Sequence, residues 1–148
     1  QRAPVDLYDL CAQSIERLSP VAARQSVTLA LTGEHAEIIG VEQLLKEMIY
    51  NLLDNAIKYN VPGGSVTASV RKSAGRTILS VSDTGIGIPY AHQPRVFERF
   101  YRVDKSHSKE VGGTGLGLSI VRHAAQYHGA RLELKSQPGK GTTITVTF

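Results

Sequence analysis

Hydrophobic and polar positions alternate along this chain in two rhythms, broken once by a long glycine-rich stretch. Residues 5–25 set Val5, Leu7, Leu10, Ile15, Leu18 and Ala22 near helical spacing. That predicts an amphipathic helix, which Pro20 bends or interrupts. Val27–Leu31 then alternates with period two, and Ala36–Ile39 reads as a second short strand after a turn at Gly33. Residues 42–60 carry the strongest helical pattern. Leu44, Leu45, Met48, Ile49, Leu52, Leu53, Ala56 and Ile57 form one continuous apolar face. Pro62-Gly63-Gly64 ends that helix. Ser65–Lys72 and Thr77–Asp83 read as an antiparallel pair joined through Ala74-Gly75. After the break, Leu116–His128 returns to helical period through Leu118, Ile120, Val121, Ala124 and Tyr127. Arg131–Ser136 and Thr142–Phe148 read as a closing hairpin around Pro138-Gly139-Lys140-Gly141.

This order of helices and strands predicts a two-layer α/β sandwich, a mixed and mostly antiparallel sheet of about five strands packed on three helices. Residues 1–148 read as one domain, with residues 1–5 as the stub of a linker from an upstream segment. The length suffices for a hydrophobic core without staples. A single cysteine, Cys11, excludes an internal disulfide and a cysteine-based zinc cage, and reads as helix packing. No apolar run approaches the ~20 residues of a membrane span, so this segment is expected not to insert into a membrane.

Charge changes the picture only when it is located. The net +4 divides into five basic and eight acidic residues over 1–60, and twelve basic and five acidic over 61–148. The positive half also holds most of the glycines, which fits either a polyanion or a smaller phosphate ligand.

Residues 84–114 contain six glycines and prolines and little periodicity, and a stretch of that kind is usually functional or disordered. Chemistry-bearing residues flank and fill it. On helix 42–60, Glu47, Asn51, Asn55 and Lys58 form one polar stripe beside the apolar face. An amide oxygen is a hard ligand suited to Mg²⁺, and a lysine is a point charge suited to phosphate; an ordinary solvated helix face has the same pattern. Asp83-Thr84-Gly85-Ile86-Gly87-Ile88-Pro89 follows a strand directly. An acid there can accept from an exocyclic amine such as that of adenine, and the glycines let backbone approach a flat ring, although Asp-x-Gly also marks plain turns. Gly112-Gly113-Thr114-Gly115-Leu116-Gly117-Leu118-Ser119 runs into a helix and offers backbone N–H groups to an anion. It matches neither the P-loop nor the dinucleotide fingerprint. Phe97-Glu98-Arg99-Phe100-Tyr101-Arg102 places three aromatics and two arginines inside the glycine-bounded stretch, as a lid or as a packed surface turn. His123 and His128, five apart, face different sides of a helix, and His35, His92 and His107 read as solvated. Ser119 lacks an evident His or Asp partner for a nucleophilic role.

These four segments, in this order, resemble the boxes of the sensor histidine kinase catalytic domain, a member of the GHKL ATPase superfamily. The Asn box corresponds to residues 47–59, the first glycine box to 83–89, the Phe box to 97–102 and the second glycine box to 113–119. The resemblance covers nearly the whole chain and implies an ATP-binding domain with Mg²⁺. It implies that Asn55 supplies the metal ligand, that Asn51 lies beside the phosphates, that Lys58 contacts phosphate, and that Tyr59 lies near base and ribose. Asp83 would bind the adenine amino group, with Gly85, Gly87 and Ile88 along the nucleotide. Arg99 or Arg102 would approach the γ-phosphate, and Gly113, Thr114, Gly115, Leu116 and Gly117 would wrap the phosphates. Residues 90–113 would be the ATP lid; five of the twelve basic residues, Arg95, Arg99, Arg102, Lys105 and Lys109, fall there. The polyanion is then expected to be one nucleotide rather than nucleic acid.

ATP-hydrolysing relatives carry a water-activating glutamate where this chain has Asn51, and the histidine kinase branch shares the asparagine. The expected reaction is transfer of the γ-phosphate to an imidazole, with Asn51, Lys58, Arg99 and Arg102 as the catalytic set. None of the five histidines precedes an acid within a helix, as the acceptor of such kinases does. The acceptor histidine and the dimer interface are therefore expected on a separate upstream helical domain. A cognate response regulator, a cytoplasmic location for this domain and an inner-membrane anchor for the full-length protein complete the expectation. The alternatives are an anti-sigma-type serine kinase or a non-catalytic nucleotide-binding regulatory module of the same fold.

Overall fold

The computed structural model describes residues 1–101 and 117–148. Strand β1 (Ala3–Asp6) leads into helix α1 (Leu7–Arg24), strands β2 (Thr28–Gly33) and β3 (Glu37–Gly40), and helix α2 (Glu42–Lys58). Strands β4 (Ser65–Ser73) and β5 (Arg76–Asp83), a 3₁₀ turn at Tyr90–Arg95, helix α3 (Gly117–Tyr127), and strands β6 (Arg131–Gln137) and β7 (Gly141–Thr147) follow.

The main sheet runs β2-β4-β5-β7-β6. Only β2 and β4 are parallel, joined by a crossover that contains α2; the other pairs are antiparallel. This is the expected mixed five-stranded sheet packed on helices, three of them among the described residues. The strands alternate as period two requires. Val66, Ala68 and Val70 of β4, Leu79 and Val81 of β5, and Ile144 and Val146 of β7 are buried toward the helices. Their neighbours on the other face are largely Ser and Thr, including Thr67, Ser69, Ser80, Ser82, Thr143 and Thr145.

Helix α2 packs between α1 and α3 and against β4 and β5. Leu45, Met48, Ile49, Leu52, Leu53, Ala56 and Ile57 are buried on it, as its apolar stripe predicts. Each large side chain stabilises the fold by roughly 1.5–3 kcal/mol on burial. An asparagine inside a helix costs only about 0.5 kcal/mol relative to alanine. The core face therefore fixes α2 in place and leaves its polar stripe free for other work.

Residues 1–5 and the start of the first helix differ from expectation. Ala3–Asp6 pairs antiparallel with β3, Ala3 opposite Gly40 and Asp6 opposite Glu37, so this segment is built into a two-stranded ribbon of its own. The helix begins only at Leu7, because Asp6 caps it: its Oδ1 accepts the Asp9 N–H at 2.9 Å. Pro20 lies inside α1 without ending it, since buried Leu18 and Ala22 tie the last turns to the core. Cys11 is fully buried, and burial, with Asp6 adding repulsion, pushes its thiol up to about 12, so it is packing rather than a nucleophile.

Candidate functional site

The last turns of α2, the loop after β5 and the turn between β6 and β7 meet at one end of the sheet. Asp83 closes β5 opposite both Val66 and Thr142. Its Oδ1 accepts two backbone N–H groups, from Gly85 at 2.8 Å and Thr142 at 3.2 Å. Among the described residues Oδ2 has no hydrogen-bond partner. Burial raises the carboxyl above its ordinary value, and the two N–H donors offset only part of that. A carboxylate kept partly desolvated, oriented through one oxygen and open at the other, is poised to accept from an external donor.

The loop that follows is gripped from two sides. Toward α2, the Ile86 N–H donates to the Tyr59 carbonyl at 3.0 Å. Thr84 Oγ1 accepts the Ser65 N–H at 2.9 Å, and the Asn60 amide donates to the Ser65 carbonyl at 3.0 Å. Toward the β6–β7 turn, the Gly139 N–H donates to the Ile86 carbonyl at 2.7 Å. The Ile88 N–H donates to Ser136 Oγ at 2.8 Å. Both glycines of the loop are required by contact. A Cβ on Gly85 would meet the Tyr59 carbonyl oxygen at 2.4 Å. One on Gly87, at φ +73°, would meet the Gln137 carbonyl oxygen at 2.2 Å.

The polar stripe of α2 continues from this loop. Asn55 is half-buried, and its side-chain amide makes no hydrogen bond among the described residues. Lys58 is held by Asp54 one turn earlier, Nζ to Oδ2 3.1 Å. Asn51 donates to the Glu47 carbonyl at 2.7 Å, and its Oδ1 lies beside Gly117, where α3 begins. Beyond Asn51 a groove of about 440 Å³ between α2 and α3 is lined by Leu44, Glu47, Ser119, Ile120 and His123, with Arg99 at its rim. Arg99 is exposed and lies over the Phe100 ring at 5.2 Å.

The structure thus brings Asn51, Asn55, Lys58, Tyr59, Asp83, Gly85, Gly87, Ile88, Arg99 and Gly117 along one edge of the domain. Arg102, Gly113, Thr114, Gly115 and Leu116 lie outside the described residues, as does the lid beyond Tyr101.

Thr142, Ser136, Gln93 and Asp54 were missed as contributors. Ser136 and Thr142 sit in a strand pattern that looks structural, and only the sheet register opposite Asp83 reveals them. The spacing of Asp54 and Lys58 as i, i+4 was a usable signal. The histidines are also better employed than expected. His35 is exposed but stands 3.1 Å from Asp6 and 3.4 Å from Asp9. His92 contacts the Tyr101 hydroxyl. His128 accepts the Val41 N–H on Nε2 at 3.0 Å and donates from Nδ1 to the Ala124 carbonyl, which ties α3 to the start of α2.

Residues 40–148 match the family model described as "Histidine kinase-, DNA gyrase B-, and HSP90-like ATPase". The chain belongs to this ATPase family. Its whole length superposes on the solved "Mycobacterial sensor histidine kinase MprB", at TM-score 0.84 and 32% identity over 97% of that chain. The "Sensor-like histidine kinase SenX3" of Mycolicibacterium smegmatis is 42% identical over 147 residues, which is 97% of this chain and 38% of that protein. A full-length structure of ShkA in complex with AMPPNP matches 99% of this chain and 30% of its own, at TM-score 0.85 and 29% identity. The chain spans about a third of the length of the curated relatives it matches. The edge just described lies within the part of the chain that the ATPase family model matches. No helix among the described residues is long and apolar enough to cross a membrane.

Proposed function

We propose that this domain binds Mg²⁺-ATP and passes the γ-phosphate to a histidine on a helical dimerisation domain of the same protein, as the catalytic part of a two-component sensor histidine kinase. An aspartate of a response regulator is the next acceptor. The protein would work on the cytoplasmic side of an inner-membrane anchor, as a sensor kinase relaying an external signal would. The observation that carries the purine half of this reading is the Asp83 carboxylate, oriented by two N–H groups and open at Oδ2.

Each residue then has a chemical task. Asp83 Oδ2 accepts from the adenine amino group, while Gly85 and Gly87 keep the loop free of side chains beside the ring. Asn55 offers an amide oxygen that no described residue engages, a hard donor that would suit Mg²⁺. A cation held by Asn55 would supply positive charge to the phosphates. Lys58 supplies a second positive charge, exchanging Asp54 for phosphate. Arg99, with Arg102 and the glycines at 113, 115 and 117, would close over the phosphates. Asn51 stands where a hydrolytic enzyme needs a general base and cannot accept a proton at neutral pH, which favours an imidazole over water as the nucleophile.

The decisive experiment supplies the helical domain of the parent protein in trans with this chain and γ-labelled ATP. The label should move to the helical domain and be lost in acid but kept in base, as phosphohistidine is. Acid-stable label would point to a serine acceptor, and ATP binding without transfer to a regulatory module; either result overturns the proposal.

A further inference from the structure

Ser136 is a buried hydroxyl that the chemistry above does not use. It lies on β6 opposite Thr142, whose own backbone N–H holds Asp83. Its valence is full. It accepts the Ile88 N–H at 2.8 Å, donates to the Gly141 carbonyl at 3.1 Å, and pairs with the Thr142 hydroxyl at 2.8 Å. Gln93, in the 3₁₀ turn at the base of the lid, acts on the same residue through its carbonyl. Its Nε2 donates to the Ile88 carbonyl at 2.9 Å and to the Ser136 carbonyl at 3.0 Å. Residue 88 is thus fixed through both its N–H and its C=O by two side chains from outside the loop.

We infer that Ser136 and Gln93 are positioning residues that set the height of the 84–89 loop against the purine and so determine base affinity without touching the base. This rests on the purine assignment of Asp83. The physical reason is leverage. The loop's other anchors hold residues 84–86, to Ser65, Asp83, Tyr59 and Gly139, upstream of the tight Gly87 contact. Downstream of it, Ser136 and Gln93 supply side-chain bonds that keep residue 88 on β6. Releasing them lets the chain rise where the ring would lie, while α2, with Asn55 and Lys58, stays put.

The test compares Ser136→Ala and Gln93→Leu with the unaltered domain, using ADP and inorganic tripolyphosphate as probes. Each variant should bind ADP about fivefold more weakly and tripolyphosphate as before. The double variant should lose less than the product of the two, because both side chains hold one residue. Ser136→Thr, which keeps the hydroxyl, should recover ADP affinity. Equal losses for the two probes, or a fully multiplicative double variant, would reduce both residues to general stability and overturn the inference. If Ser136→Ala fails to fold, Gln93→Leu decides alone, since that side chain is half-exposed. Asp83→Asn, measured alongside, separates the two layers. Weaker ADP binding there with unaltered affinity in the other variants overturns only the positioning role. Unaltered ADP affinity in all of them removes the purine site itself.

Discussion

The two halves of the proposed ATP site are built on opposite principles. The purine half is closed: Asp83, Thr84, Ile86 and Ile88 each hold or are held by hydrogen bonds to Tyr59 at the end of α2, to β4, or to β6, β7 and the turn between them. The phosphate half is open: Asn55 has no bond among the described residues, Lys58 has only its helical neighbour Asp54, and Arg99 is exposed. A flat, rigid base is recognised well by a surface fixed in advance. A flexible, highly charged triphosphate needs donors and cations that can move to it, and these are cheap to leave in water. The difference also says where stability and function conflict. Asn55 is a poor helix former and Asp83 a partly buried acid, and both lie at the proposed site.

The comparison breaks most visibly at Asn55. Asn55→Ala should reduce Mg²⁺-ATP affinity by more than about 100-fold, since it removes the proposed metal ligand and with it the charge that would neutralise the triphosphate. The same change should make α2 more stable by about 0.5 kcal/mol, because alanine is the better helix former and no hydrogen bond is lost. Calorimetric titration paired with urea unfolding reads both. Unchanged affinity would mean the open half does not bind the metal.

Asp83 tests the closed half. Asp83→Asn keeps an oxygen for the Gly85 and Thr142 N–H groups but sets an amide N–H where Oδ2 stood, donor against donor. A lost hydrogen bond to a charged acceptor is worth about 1.5–3 kcal/mol, so ADP should bind some 10- to 100-fold more weakly. Stability should move the other way. The folded carboxyl is raised above its ordinary 3.8, so the stability it contributes is present below the unfolded value and lost as pH rises through the folded one. At pH 7 the variant should therefore melt above the unaltered domain, and the gap should close on acidification toward about pH 4. A variant less stable at pH 7 would show that Asp83 serves the fold first.

The closed and open halves also differ in how well the sequence displays them. The apolar face of α2, the alternation of β4 and β5, and the asparagine stripe follow from spacing alone, because burial imposes a period on the chain. Asp83 and its glycines were visible as a motif. Their partners were not. Thr142 and Ser136 become neighbours of Asp83 and Ile88 only through antiparallel register across residues more than 45 apart. No local pattern encodes that pairing. The early strand Ala3–Asp6 was hidden for the same reason: it pairs with β3, across helix α1, and its four residues carry too short an alternation to read. His128 was legible as a helical residue but not as the acceptor for Val41, a contact fixed by how α3 packs on α2.

The smallest effect sharpens the comparison most finely, because it asks whether the open half is held ready or merely left free. Lys58 and Asp54 form an i, i+4 pair at 3.1 Å, partly shielded, with 27% and 19% of their side chains exposed. Such a pair stabilises a helix by only about 0.3–0.5 kcal/mol. A triphosphate carries several negative charges, so it competes easily for the ammonium, and Asp54 acts as a placeholder that keeps Lys58 along the helix. Asp54→Asn should then cost the fold no more than about 0.5 kcal/mol. It should also tighten Mg²⁺-ATP binding about two- to threefold, by removing a like charge from the phosphate path. The gain should shrink as salt is raised, since the charges lie near solvent. Weaker ATP binding would mean instead that Asp54 orients Lys58 for the phosphate, and the open half would then share the preorganisation of the closed one.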